Sequence, residues 1–249
     1  MDDGAWLWPA ALGFLGLIFG SFIATHALRW PRGGSALAGR SRCDGCGRTL
    51  GPIELVPLVS WIALRGRCRT CARPIARAHP AIEVLGLAVG VVAGALAPGW
   101  DGVAGAVFGW LLLTLGAIDL ACLRLPDPLN ALLALAGVAT GLAGIAPAPG
   151  ERAIGGVAGF AALWLVAALY RRLRGRVGLG GGDAKLFGAI GLWLGWRALA
   201  PVMLVASGLG LAIVAVAMLR GTAVRRTDRL PLGTLLAVAA FILWSAARW

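Results

Sequence analysis

Two aspartates stand where a carboxylate is costly. Asp119 closes one long apolar segment, and Asp183 opens another 64 residues later, directly after Gly178-Leu179-Gly180-Gly181-Gly182. Ionisable groups at membrane depth are rare and tend to mark function, so the pair reads as a site. Two carboxylates that meet can divide acid and base work: one takes the proton of an attacking water while the other polarises a carbonyl. The negative end of a helix dipole disfavours a carboxylate and the positive end stabilises one. On that argument Asp183 is expected to act as base and Asp119 as acid, with Lys185 close to Asp183 in sequence. A plain N-cap after a flexible turn is the other reading of Asp183. Gly178, Gly180 and Gly182 allow positive φ and close backbone approach, so a substrate strand could lie against this loop. Asp127, within Pro126-Asp127-Pro128, resembles an N-cap followed by Pro at the first helical position.

A second constellation is sulfur. Cys43-x-x-Cys46 and Cys68-x-x-Cys71 are separated by 21 residues. Two such knuckles are the pattern of a four-thiolate zinc site, and with every position filled by protein the metal is structural. Neighbouring Arg40, Arg42, Arg48, Arg67 and Arg69 are expected to favour the thiolates. The segment has few apolar residues of its own, so the metal would supply folding energy, with Trp61 and Ile62 touching the membrane surface. His26 and His79 are lone histidines and are not assigned as ligands. Cys122 is unpaired and reads as a small apolar side chain.

The elements that must position these residues are membrane helices. The 249-residue chain is 59% hydrophobic and 14% charged, with a mean hydropathy of +0.83, too apolar for an ordinary soluble domain. The expected fold is all-α and polytopic, with about eight spans near 5–28, 81–97, 103–120, 129–146, 153–170, 184–199, 201–219 and 230–247. Only Trp196, Arg197 and Pro201 break the sixth from the seventh. The expected organisation is a first helix (1–28), a cysteine loop (29–80) and a membrane core (81–249). The first segment has an acidic beginning (Asp2, Asp3) and no small-residue cleavage pattern, so it reads as a retained anchor. With the N-terminus outside, eight spans gather 20 of the 23 Lys and Arg on one side, leaving Arg152, Arg197 and Arg248 opposite. By the positive-inside rule that side is the cytoplasm, and Asp119 and Asp183 face it. Topology thus accounts for the +12 charge, and no nucleic-acid partner is expected. A transporter or channel with cation-binding aspartates is the alternative function, but such sites usually sit at the midplane, not at one face.

Taken together the residues resemble the type IV prepilin leader peptidases, membrane aspartic proteases marked by a G-x-G-D motif. Gly20-Ser21-Phe22, Arg29-Trp30-Pro31, the cysteine knuckles, Val56-Pro57-Leu58-Val59-Ser60-Trp61, Arg65-Gly66-Arg67-Cys68 and Pro80-Ala81-Ile82-Glu83 are similar to the family's amino-terminal motifs. Ile118-Asp119 with Leu125-Pro126-Asp127, and Gly178-x-Gly180-x-Gly182-Asp183-x-Lys185, are similar to its catalytic segments. The resemblance implies Asp119 and Asp183 as the catalytic pair, supported by Gly180, Gly182, Lys185 and Asp127. It implies a multi-pass protein of the bacterial inner membrane serving type IV pili or type II secretion. The implied substrate is a prepilin or pseudopilin, cut after a glycine between its short basic leader and its apolar helix. Many members also N-methylate the new amino terminus with S-adenosylmethionine, and Glu83 and Gly66 are the candidates for supporting that step. Ala24 and His79 replace the Asn and Tyr usual at these positions.

Overall fold

The computed structural model describes residues 6–34, 39–176, 178–223 and 229–247. Asp2, Asp3 and Arg248, used above to read topology, lie outside the described residues. Among the described residues the fold is helical without strands: α1 (Leu7–Arg29), α2 (Val59–Ala63), α3 (Ala78–Leu96), α4 (Trp100–Cys122), α5 (Asp127–Leu142), α6 (Pro149–Arg174), α7 (Gly181–Leu194), α8 (Leu199–Leu219) and α9 (Leu232–Ala246). All but the short α2 coincide with the eight apolar segments. Five of them, α1, α3, α4, α6 and the stretch Trp196–Leu219, are long and apolar enough to cross a membrane. The chain divides into two compact units, residues 1–117 and 118–249.

In the first unit α1 packs along α3. Without a hydrophobic driving force between helices in lipid, close association depends on small residues that let backbones approach. Gly13, Gly16 and Gly20 of α1 face Gly86 and Gly90 of α3 or their neighbours; a Cβ at Gly16 or Gly86 would collide with the other's carbonyl. Trp110 of α4 donates its indole N–H to the Gly86 carbonyl at 3.0 Å and packs tilted against Phe19 at 4.8 Å between ring centroids. His26 is buried between Phe22 and Trp30.

In the second unit α6 and α7 approach by the same means, through Gly155 and Gly159 against Gly191 and Phe187. Arg152 binds them to α5. Only 4% exposed, it donates to the carbonyls of Gly137, Ile145, Ala146, Pro147 and Leu192 and to the Thr140 hydroxyl, at 2.8–3.2 Å. It is therefore a buried staple and not a loop charge. The division between α7 and α8 is made by Gly195, at φ 75, and a 3-10 turn (Trp196–Ala198). Pro201 is not part of that break: it sits in the first turn of α8, where its missing N–H has no intrahelical partner to lose.

Candidate active site and metal centre

Asp119 lies one turn before the end of α4, 4% exposed. Its Oδ2 accepts hydrogen bonds from the Thr234 backbone N–H at 2.8 Å and the Thr234 hydroxyl at 3.2 Å. Those donors belong to the first turn of α9, where backbone N–H groups have no helical acceptor. After α4 the chain turns at Leu123 (φ 54) and runs through Leu125 and Pro126 into α5.

Asp183 is the third residue of α7 and half-buried. It is not the N-cap: Gly180 takes that position, and the Asp183 carboxylate reaches back to the Gly180 N–H, as the acidic residue of a capping box does. It also lies close enough to Asp119 for the two carboxylates to feel each other's charge. The structure thus brings together two side chains 64 residues apart, which sequence spacing alone could not do.

The glycines of this loop differ from expectation. None of Gly178, Gly180, Gly181 and Gly182 is at positive φ; the left-handed residue is Gly175, at φ 65, ending α6. Their use is close approach. Tyr170 lies against Gly178, and a Cβ added at Gly182 would stand 2.9 Å from Leu125 Cβ. Asn130, 3% exposed, points its Nδ2 at the Gly182 carbonyl at 3.5 Å. Asp127 is the first residue of α5 and not its N-cap, which is Pro126. Its Oδ2 meets Lys185 Nζ at 2.7 Å, both side chains being largely exposed. Lys185 therefore serves Asp127 and makes no ion pair with Asp183. Sequence reasoning missed Gly233, Thr234 and Asn130. The signal for the first two was Pro231 ahead of an apolar segment, which marks a helix start and thus free N–H donors.

The cysteines converge in the first unit. The Sγ atoms of Cys43, Cys46, Cys68 and Cys71 all lie within 4.8 Å of one another, a set able to hold a metal ion. Each knuckle repeats one backbone pattern. Cys43 N–H donates to Arg48 O and Cys68 N–H to Arg73 O, both at 2.9 Å, while Gly47 and Ala72 donate back to Cys43 O and Cys68 O. Gly47 and Ala72 both stand at positive φ. The backbone N–H groups of Cys71 and Thr70 pull the Cys68 thiol down to about 6. Arg48 is bidentate to Glu54 at 2.6 and 3.0 Å and also interacts with the Cys68 thiol. Cys122 lies apart from the cluster, its thiol directed to the Ile118 carbonyl. His26 and His79 are outside the cluster as well.

Beside the knuckles lies a cavity of about 160 Å³, lined by α1 (Ser21, Thr25), the loop (Trp61, Cys68) and α3 (His79, Glu83). Glu83 is buried and accepts the N–H of Leu58, whose φ of 57 is a strained conformation for Leu, at 2.8 Å. Trp61 lies against Gly66 (φ 68), where a Cβ would meet its ring at 2.9 Å. Trp61 Nε1 is buried without a partner, while Ile62 is 68% exposed.

Comparison with known proteins agrees with both halves of this description. Residues 14–96 match the Bacterial Peptidase A24 N-terminal domain, and residues 106–215 match the Type IV leader peptidase family. A Prepilin leader peptidase/N-methyltransferase of Aeromonas hydrophila is 39% identical over 215 residues, 84% of this chain and 74% of the relative. The protein of that name from Burkholderia pseudomallei (strain K96243) is 44% identical over 201 residues, covering 80% and 64%. That of Klebsiella pneumoniae is 37% identical over 208 residues, covering 81% and 91%. No solved structure matches the chain. With both family models in order along it and relatives aligned over most of its length, the chain belongs to the type IV leader peptidase family.

Proposed function

We propose that this protein cleaves the leader from prepilins or pseudopilins with Asp119 and Asp183 and N-methylates the amino terminus so exposed. The observation that carries the peptidase reading is the approach of the two carboxylates, one on α4 and one in the first turn of α7. One carboxylate takes a proton from water, and the resulting hydroxide adds to the scissile carbonyl carbon. The other donates its proton to the carbonyl oxygen. Collapse of the tetrahedral adduct breaks the C–N bond, and the departing amine takes up the proton gathered from water. Both carboxylates belong to the cytoplasmic face of the bacterial inner membrane in the topology expected from the positive-inside rule. That face is where a basic leader is retained.

The cysteine cluster fits zinc. Four thiolates at a Zn–S distance of about 2.3 Å stand about 3.8 Å apart in a tetrahedron, and Cys43 Sγ and Cys71 Sγ are 3.7 Å apart. Cys43, Cys46, Cys68 and Cys71 fill all four positions, so the metal would hold the loop and leave no place for water.

The polar lining of the cavity beside the knuckles suits part of S-adenosylmethionine, which would supply an activated methyl group when bound. An orphaned indole N–H on Trp61, the Glu83 carboxylate and the hydroxyls of Ser21 and Thr25 offer the donors and acceptors that a nucleoside and an amino acid require. Glu83 and Trp61 would hold it, and Gly66 keeps Trp61 in place. His79, on the cavity wall, is the residue to accept the proton released from the substrate amine.

The test is mass spectrometry of a prepilin co-expressed with the protein. The wild type is expected to give a product lacking its leader and carrying one added methyl group. Asp119→Asn and Asp183→Asn are each expected to leave the leader attached while the variants insert and accumulate normally. A cleaved product from either variant would sink the aspartate pair.

A further inference from the structure

Leu125 occupies a position that no carboxylate argument predicts. It is half-buried in the short connection between α4 and α5, and two glycines close on it from different helices. On one side a Cβ at Gly182, the residue before Asp183, would stand 2.9 Å from Leu125 Cβ and 3.5 Å from its Cδ1. On the other, a Cβ at Gly233 would stand 2.8 and 3.0 Å from Leu125 Cδ1 and Cδ2, and 3.0 Å from Asp119 Oδ2. Gly233 is followed by Thr234, whose N–H and hydroxyl hold that same Oδ2. The Leu125 side chain therefore lies between the first turn of α7, which carries Asp183, and the first turn of α9, which seats Asp119.

We propose that Leu125 is the positioning residue of the aspartate pair: a spacer gripped between Gly182 and Gly233 that sets the separation of the two helix starts and hence of the two carboxylates. The inference rests on the peptidase reading above. Its physical basis is that packed side chains do not compress, so a leucine between two glycines defines a distance more firmly than a loop of backbone can. Glycine at both contacts allows that distance to be short. A carboxylate pair sharing one water tolerates little error, since a misplacement of about 1 Å costs on the order of 100-fold in rate. Leu125 acts through Asp119 and Asp183 and not by contact with substrate.

The experiment is steady-state cleavage of a prepilin by the full-length protein in detergent, comparing kcat with KM. Leu125→Ala is expected to lower kcat by on the order of 10- to 100-fold with KM within about 2-fold. Leu125→Met, which conserves volume, is expected to stay within about 3-fold of wild type. Gly233→Ala is expected to lower kcat because its methyl group drives Leu125 and the Asp119 carboxylate apart. In the double variant Leu125→Ala/Gly233→Ala two of the three close contacts at position 233 are removed. Its kcat should therefore exceed the product of the two single effects. Gly182→Ala is different: its contact is with Leu125 Cβ, which alanine retains, so Leu125→Ala should give it no relief. Wild-type kcat in Leu125→Ala, or strictly multiplicative single effects at 125 and 233, would overturn the proposal. Should Leu125→Ala not accumulate, Gly233→Ala with Leu125→Met at the same position carries the test. Asp119→Asn and Asp183→Asn are run alongside. Cleavage surviving in either defeats the aspartate reading itself, whereas their inactivity with an unimpaired Leu125→Ala defeats only the spacer.

Discussion

At the scale of single residues, the partners that matter here come from far along the chain. Asp119 and Asp183 were legible because a carboxylate at the end of an apolar segment is unusual whatever surrounds it. Their division into acid and base was not, because the dipole argument treats each helix alone. Thr234, 115 residues from Asp119, supplies donors that no local argument contains. Lys185 shows a simpler error. Residues two apart on a helix do not share a face, so proximity to Asp183 in sequence never implied contact. Glu54 offers a clean pH prediction in the cysteine loop. Hydrogen bonds from Arg48, and then from the Gly51 N–H, hold its carboxyl down at about 2 from 4.5. Its contribution to loop order is complete above pH 4.5 and fades as pH falls toward 2. Intrinsic tryptophan fluorescence of the loop's Trp61 across that range should detect the change, and Glu54→Gln should flatten the part due to this group.

At the scale of elements, the eight segments read from hydropathy are helices among the described residues, and five of these are long and apolar enough to cross a membrane. Their ends did not follow from hydropathy, since Gly195 and not Pro201 makes the break before α8. The glycine contacts were equally hidden: composition reports many glycines, and only the paired helices show which ones meet. Gly86→Leu places a branched side chain against the Gly16 carbonyl and should separate α1 from α3. Cysteine crosslinking between positions on the two helices would fall sharply in that variant. The knuckles carry a separate prediction. Cys43→Ser with Cys46→Ser should abolish metal content, measured by elemental analysis, and expose the loop to protease. Leader cleavage should fall much less than in the aspartate variants, because the knuckles lie in the first unit and the carboxylates in the second.

At the scale of the molecule, two compact units agree with two family models in sequence order, residues 14–96 and 106–215. The proposed activities follow that division, the aspartates in one unit and the cavity with its buried glutamate in the other. The second unit holds a buried cation that the charge count placed only on the side opposite most of the others. Arg152→Met would leave carbonyls of α5, α7 and their connection unsatisfied, at a cost of about 2–4 kcal/mol. Thermal unfolding in detergent should register it as a lower midpoint, and Arg152→Lys should recover only part, an ammonium having three donors for six acceptors.

The partners of that arginine also follow an order along the chain. Gly137, Thr140, Ile145, Ala146 and Pro147 precede Arg152 in the chain, whereas Leu192 follows it by 40 residues. As the ribosome advances, the guanidinium can be sheltered by the hairpin of α5 and α6 before α7 has been made. The last acceptor belongs to α7, so the helix that brings Asp183 would complete the set around a cation that already has five acceptors. Assembly of the second unit in the order of synthesis would keep that charge satisfied between steps.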